Sequence, residues 1–88
     1  MVFYTQNQIK EKINRLRIQS NQLTNKLLIN RKTLQARQDY LDQSNLPRRE
    51  VAEISREINN FLVNERKLQH ALKITYKEIW NFEKLINK

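Results

Sequence analysis

The side chains that could do covalent or acid–base chemistry are few and scattered in this sequence. His70 is the only histidine, cysteine is absent, and none of Ser20, Ser44 and Ser55 has a histidine at a spacing that suits a catalytic triad. Glu65 falls on a predicted buried stripe, but no second acid, base or metal ligand accompanies it at helical spacing. Glycine is also absent, which argues against loops that cradle phosphate groups. The sequence therefore predicts no catalysis, no cofactor and no small-molecule substrate.

A second group of side chains has the chemistry of a binding surface. Aromatic rings and arginines dominate the energetics of protein interfaces, and the same residue types stack on nucleic-acid bases and contact phosphates. Counting heptads places one such group on the same side of two predicted helices, whereas the other side mixes acids and bases evenly. We name this group the partner flank, and its members are Arg17, Leu28, Arg31, Leu62, Arg66, Lys73, Tyr76 and Trp80.

The first of the two helices is predicted over residues 5 to 43. Thr5 and Gln8 form a capping box, in which each side chain binds an otherwise unpaired backbone N–H group. From Ile9 to Leu41 the seam positions then recur at alternating intervals of four and three residues. This period of about 3.5 residues indicates coiled-coil packing against another helix.

A short break separates this helix from the second one. The apolar pattern stops at Asp42, Ser44 or Asn45 can cap a new helix, and Pro47 suits its first turn. A turn is therefore predicted over residues 44 to 47 and a second helix over residues 48 to 87. Two helices of equal length with a short connector are expected to fold back antiparallel. The predicted fold is all-α, a single domain over residues 1 to 88 that forms a long helical hairpin; the alternative is one kinked rod paired with a second chain.

The register of the hairpin follows from the two seams. Setting the layers of one helix against those of the other pairs Leu34 with Phe61 and Ile9 with Ile86. Arg37 is a polar seam residue near the tip and is expected to reach solvent along its methylene groups. The other polar seam residues are expected to meet across the seam and to fix the register at some loss of stability. These register-setting layers are Ser20 with Thr75 and Asn30 with Glu65.

Composition and charge limit the class of protein. The chain has 88 residues, with 17 Lys and Arg against 9 Asp and Glu and a net charge of +8. It has no stretch of about 20 apolar residues, and its first residues do not have the pattern of a signal peptide. A soluble, cytoplasmic protein without a membrane span is expected. A lone two-helix hairpin of this size has little core, so a partner is expected to complete it, for example as a four-helix bundle.

These features favour a non-catalytic interaction or assembly subunit that buries the partner flank. The partner is either a second copy or a different protein. The alternatives are an accessory protein that binds RNA or DNA with the same flank, and a small inhibitor of a protein that handles nucleic acid. Protein binding is favoured over nucleic-acid binding because the bases are dispersed and no helix-turn-helix or zinc-finger spacing occurs.

Overall fold

The computed structural model describes residues 4–43 and 45–86 as an extended helical hairpin. Helix α1 comprises Gln6–Leu41 and helix α2 comprises Arg48–Ile86. The two helices pack antiparallel along their length, and the molecule measures about 63 × 20 × 15 Å. The predicted all-α hairpin is therefore confirmed, and the kinked rod is not the observed fold. Helix α1 ends two residues before its expected end, and the final residue expected in α2, Asn87, lies outside the described residues.

The start of α1 has the expected cap. The hydroxyl oxygen of Thr5 accepts from the backbone N–H of Gln8 at 3.2 Å, and the side-chain oxygen of Gln8 accepts from the backbone N–H of Thr5 at 2.9 Å. Just before this cap, the ring of Tyr4 packs edge-on against that of Phe82, with 5.9 Å between the ring centroids. Tyr4, just before α1, is therefore held against Phe82 near the end of α2.

The turn differs in detail from the expectation. Asn45 adopts a φ of 77°, the left-handed conformation that asparagine tolerates better than most residues. The carbonyl oxygen of Pro47 accepts the N–H of Val51 at 3.0 Å, so the first bond of α2 is made to Pro47. Asn45 therefore reverses the chain and does not cap α2. The other expected cap, Ser44, lies outside the described residues.

One side-chain contact closes the tip of the hairpin. The hydroxyl group of Tyr40 near the end of α1 donates to the carboxylate of Glu50 in the first turn of α2. This hydrogen bond, followed by the negative charge of Glu50, raises the pKa of Tyr40 above its ordinary value. The same carboxylate lies where the helix dipole favours negative charge. Glu50 thus links the two helices beside the turn.

The core contains two apolar clusters, one at each end of the hairpin, and Leu27 is also buried. The cluster at the open end contains Ile9, Ile13 and Ile79, with Leu16, Phe82 and Ile86 packed against it. The cluster near the tip contains Leu34, Ile54 and Ile58, with Leu41, Leu46, Phe61 and Leu62 packed against it. Their membership agrees with the predicted register. None of the described side chains is completely buried, which shows how narrow a two-helix core is.

A matched pair of isoleucines tests which face of α2 is buried. Ile79 is 8 % exposed within the open-end cluster, whereas Ile74 is 46 % exposed on the outside of the same helix. Replacing Ile79 by Ala should lower the free energy of unfolding by about 2 to 4 kcal/mol, because it removes buried methyl groups. Replacing Ile74 by Ala should lower it by less than about 1 kcal/mol. Urea denaturation followed by circular dichroism measures both; equal losses would contradict this orientation of α2.

Candidate interaction surface

The first expected polar layer lies midway between the two clusters. Ser20 and Thr75 are both buried, on α1 and α2 respectively. The hydroxyl of Ser20 donates to the carbonyl oxygen of Arg17, and that of Thr75 to the carbonyl oxygen of Ala71, both at 2.8 Å. Each hydroxyl thus binds a carbonyl of its own helix. Any influence of this layer on register comes from the size of the two side chains.

The second polar layer differs from the expected Asn30–Glu65 pair. The Asn30 amide donates to the backbone carbonyl of Phe61 at 2.9 Å and accepts from the side-chain amide of Asn64 at 3.0 Å. Glu65 instead accepts from the guanidinium of Arg31 at 2.7 Å. The physical reason is charge: at the edge of the seam the carboxylate keeps contact with water and gains an ion pair, whereas beside the buried amide it would lose hydration. Among the buried residues of the described ranges, Asn30 is the one whose side chain makes hydrogen bonds across the seam.

The role of Asn30 can be separated from that of Ser20. Replacing Asn30 by Leu should raise the urea midpoint, because an apolar layer replaces a polar one. The Asn64 amide loses its hydrogen bond to Asn30 but is exposed and can bind water instead. The same variant should broaden the distribution of oligomers, since the remaining seam permits other registers. Replacing Ser20 by Ala should shift stability by less than about 1 kcal/mol and leave the oligomeric state unchanged. Denaturation and light scattering measure both properties; a less stable, uniform Asn30→Leu protein would contradict a register-setting role.

The apolar members of the partner flank are largely uncovered. Leu28 is 50 % exposed, Tyr76 54 % and Trp80 55 %. Tyr76 and Trp80 lie four residues apart on α2 and therefore follow one another along the same side of the helix. Leu62 differs, because it is half-buried against the tip cluster of the core. The flank thus presents three open apolar side chains beside one that belongs partly to the core.

The two α1 arginines of the partner flank bind glutamates of the same chain. Arg17 donates to Glu83 at 2.9 Å, and Arg31 donates to Glu65 at 2.7 Å. The pairs are partly exposed, so each contributes little to stability. The two glutamates offset the charges of Arg17 and Arg31, so the flank is less positive than its own lysines and arginines suggest. Arg37 of α1 likewise pairs with a glutamate of α2, Glu57, at 3.1 Å. Arg37 is exposed, as predicted.

Most of the uncompensated positive charge lies elsewhere, on the side of α2 that points away from α1. All lysines and arginines on this side are exposed, and among the described residues none of them forms an ion pair. The only acid on this side is Glu53. We name this set the basic face, and its members are Arg49, Arg56, Arg66, Lys67, Lys73, Lys77 and Lys84.

The corresponding outer side of α1 is neutral. It carries two bases, Arg15 and Lys32, and two acids, Glu11 and Asp39, among many Gln and Asn residues. Arg15 pairs with Glu11 at 2.7 Å. With seven bases and one acid, the basic face carries a net charge of +6 out of the net +8 of the chain. The sequence analysis compared the two flanks and missed this difference in charge between the outer sides of α1 and α2. Counting the bases at the outward positions of α2 alone would have found it.

Trp80 lies where the partner flank meets the basic face. The ammonium group of Lys84 lies over the Trp80 ring, 3.4 Å from its centroid. Such a contact is worth about 0.5 to 1 kcal/mol at an exposed site. At the open end of the hairpin Lys12 lies in the same way near the rings of Tyr4 and Phe82, at 5.1 and 5.9 Å. Lysines thus lie against the Trp80 ring and against the Tyr4–Phe82 pair.

Comparison with known proteins adds no information on function. No protein-family model, curated protein or solved structure matches the chain.

Within residues 4–43 and 45–86, neither helix has an apolar stretch that could cross a bilayer. In the same part of the chain, no three His, Asp or Glu side chains come together as a potential metal site. The functional argument therefore depends on the partner flank and the basic face.

Proposed function

We propose that this chain acts without catalysis as an assembly subunit whose partner flank is buried against a second copy. The observation that carries the proposal is the exposure of Leu28, Tyr76 and Trp80 on one side of the hairpin. Large aromatic side chains of this kind are the usual anchors of protein interfaces. The proposal includes the cytoplasmic location expected from the sequence.

The position of Leu28 along the hairpin matters for the choice of partner. Arg31 contacts Glu65, so these two residues lie at about the same level of the hairpin. Because the helices are antiparallel, a residue three positions before Arg31 on α1 lies at the level of a residue three positions after Glu65 on α2. Leu28 therefore lies near the level of Leu68.

The four apolar residues of the flank are then arranged almost symmetrically about the level of Ala71. On α2, Leu62 lies nine residues before Ala71 and Trp80 lies nine residues after it. Leu28 of α1 lies at the level of Leu68, three residues before Ala71, and Tyr76 lies five residues after Ala71. A two-fold axis at this level would place Trp80 of one copy against Leu62 of the other, and Tyr76 against Leu28. In a two-fold interface each contact occurs twice, so such a self-complementary pattern favours a second copy.

A dimer of this kind would be an antiparallel four-helix bundle. It would cover apolar surface that the two-helix hairpin leaves in water and so add to the stability of a narrow core. The alternative is a different protein with acidic residues around an apolar centre, because the flank includes, beside its apolar residues, the bases Arg66 and Lys73, which are unpaired among the described residues. Nucleic acid at this flank and inhibition of a nucleic-acid-handling protein stay as the remaining alternatives.

The test compares neighbouring residues of similar size on opposite sides of α1. Leu28 belongs to the partner flank, whereas Ile29 is 66 % exposed on the other side. The wild-type protein should have twice the chain mass in light scattering. Leu28→Ala should weaken the dimer by about 2 to 4 kcal/mol, because a symmetric interface loses each side chain twice. Ile29→Ala should leave the dimer affinity unchanged.

Trp80 provides an independent measurement because it is the only tryptophan. Its fluorescence should shift to shorter wavelength as protein concentration rises and the ring leaves water, and the shift should follow the mass. A protein that stays monomeric at millimolar concentration would exclude the second copy and leave a different partner. Equal weakening by Leu28→Ala and Ile29→Ala would exclude this flank as the interface.

A further inference from the structure

The bases of the basic face of α2 form no ion pairs within the described part of the hairpin. The acids of α2 that could neutralise it are turned toward α1, where Glu57, Glu65 and Glu83 bind arginines. Seven exposed bases therefore repel one another with only Glu53 among them. Such a surface attracts polyanions, and a polyanion that binds to it releases the cations condensed on its own charged groups, which favours binding.

The shape of the basic face narrows the class of polyanion. Its bases extend from Arg49 to Lys84, which is about 52 Å along a single straight helix at 1.5 Å per residue. The phosphates of a duplex follow a helical path that a straight rod meets over only a short distance. A single strand is flexible and can follow the whole line of bases. The length of the face therefore favours single-stranded nucleic acid.

The composition of the basic face argues against a protein or a membrane. Lysine is depleted in protein interfaces, whose centres are apolar. The large apolar residues within this face are Val63 and Ile74, which lie eleven residues apart, with Trp80 at its border. A helix that inserts into a membrane surface needs a continuous apolar side, which this face lacks. Phosphate binding, by contrast, needs little more than lysine and arginine.

We propose that the basic face of α2 binds the phosphate backbone of single-stranded nucleic acid without sequence preference. Five of its seven bases lie outside the partner flank, so this proposal does not rest on the dimer. Those five are Arg49, Arg56, Lys67, Lys77 and Lys84.

The experiment uses a fluorescein-labelled oligothymidylate of 15 nucleotides and measures anisotropy from 50 to 200 mM KCl. With about five phosphate contacts, the logarithm of the association constant should fall with the logarithm of salt concentration with a slope of about −3.5. This slope corresponds to a loss of about 100-fold in affinity over the salt range. The absence of binding at 50 mM KCl would overturn the proposal.

Two double variants with the same change of charge locate the site. Arg56→Gln with Lys77→Gln removes one arginine and one lysine from the basic face. It should lower affinity by about 10- to 30-fold at 0.1 M salt and make the slope shallower by about 1.4. Arg15→Gln with Lys32→Gln makes the same change on the outer side of α1 and should lower affinity by less than about 3-fold. Equal losses in the two variants would show that only the net charge acts and would overturn the assignment to α2.

Competing probes test the class of ligand. Polyglutamate of matched charge, anionic vesicles and a duplex of the same length should each bind more weakly than the oligothymidylate. Tighter binding of any one of these probes would overturn the proposal and indicate an acidic protein, a membrane surface or duplex nucleic acid instead. Light scattering of Arg56→Gln with Lys77→Gln should give the wild-type mass, so that a failure of the dimer is distinguished from a failure of nucleic-acid binding.

Discussion

Each helix of this hairpin has a single neighbour and can bury only one narrow stripe of side chains against it. The two apolar clusters at the ends of the seam show the consequence, since their residues are well covered but none is completely buried. Large apolar side chains that lie outside this stripe must face water or a second molecule. The exposure of Leu28, Tyr76 and Trp80 follows directly from this geometry, as does the expectation that the fold is completed by association.

The same geometry separates the charges of the molecule. Arginines at the edge of α1 reach across the seam to Glu57, Glu65 and Glu83 of α2. These partly exposed pairs add little to stability, and the three glutamates face α1 because of their positions along the helix. The outward positions of α2 are left with seven bases and one acid, whereas those of α1 are neutral. The placement of acids and bases along α2 thus gives a simple hairpin one strongly basic surface.

The period of the apolar residues was sufficient to predict the hairpin and its register. These features depend on where each Cβ atom points, and helix geometry determines this direction from residue number alone. The hydrogen-bond partners of Asn30 and Glu65 could not be predicted in this way, and the expected contact between the two is not made. Arg31 has a side chain long enough to reach Glu65 from a flanking position, and Asn30 binds the backbone of Phe61 and the amide of Asn64 instead. Seam position does not determine which partners the flexible polar side chains reach.

Charge also connects the two proposed surfaces of the molecule. Two copies that each carry a net charge of +8 repel one another, and the repulsion opposes burial of the partner flank between them. A single strand of nucleic acid on the outward basic faces would offset this repulsion without occupying Leu28 or Tyr76. Because such coupling is reciprocal, the dimer should bind the strand more tightly than the monomer to the same degree that the strand favours the dimer. A hairpin with one apolar flank and one basic face can therefore assemble more tightly when a polyanion is bound.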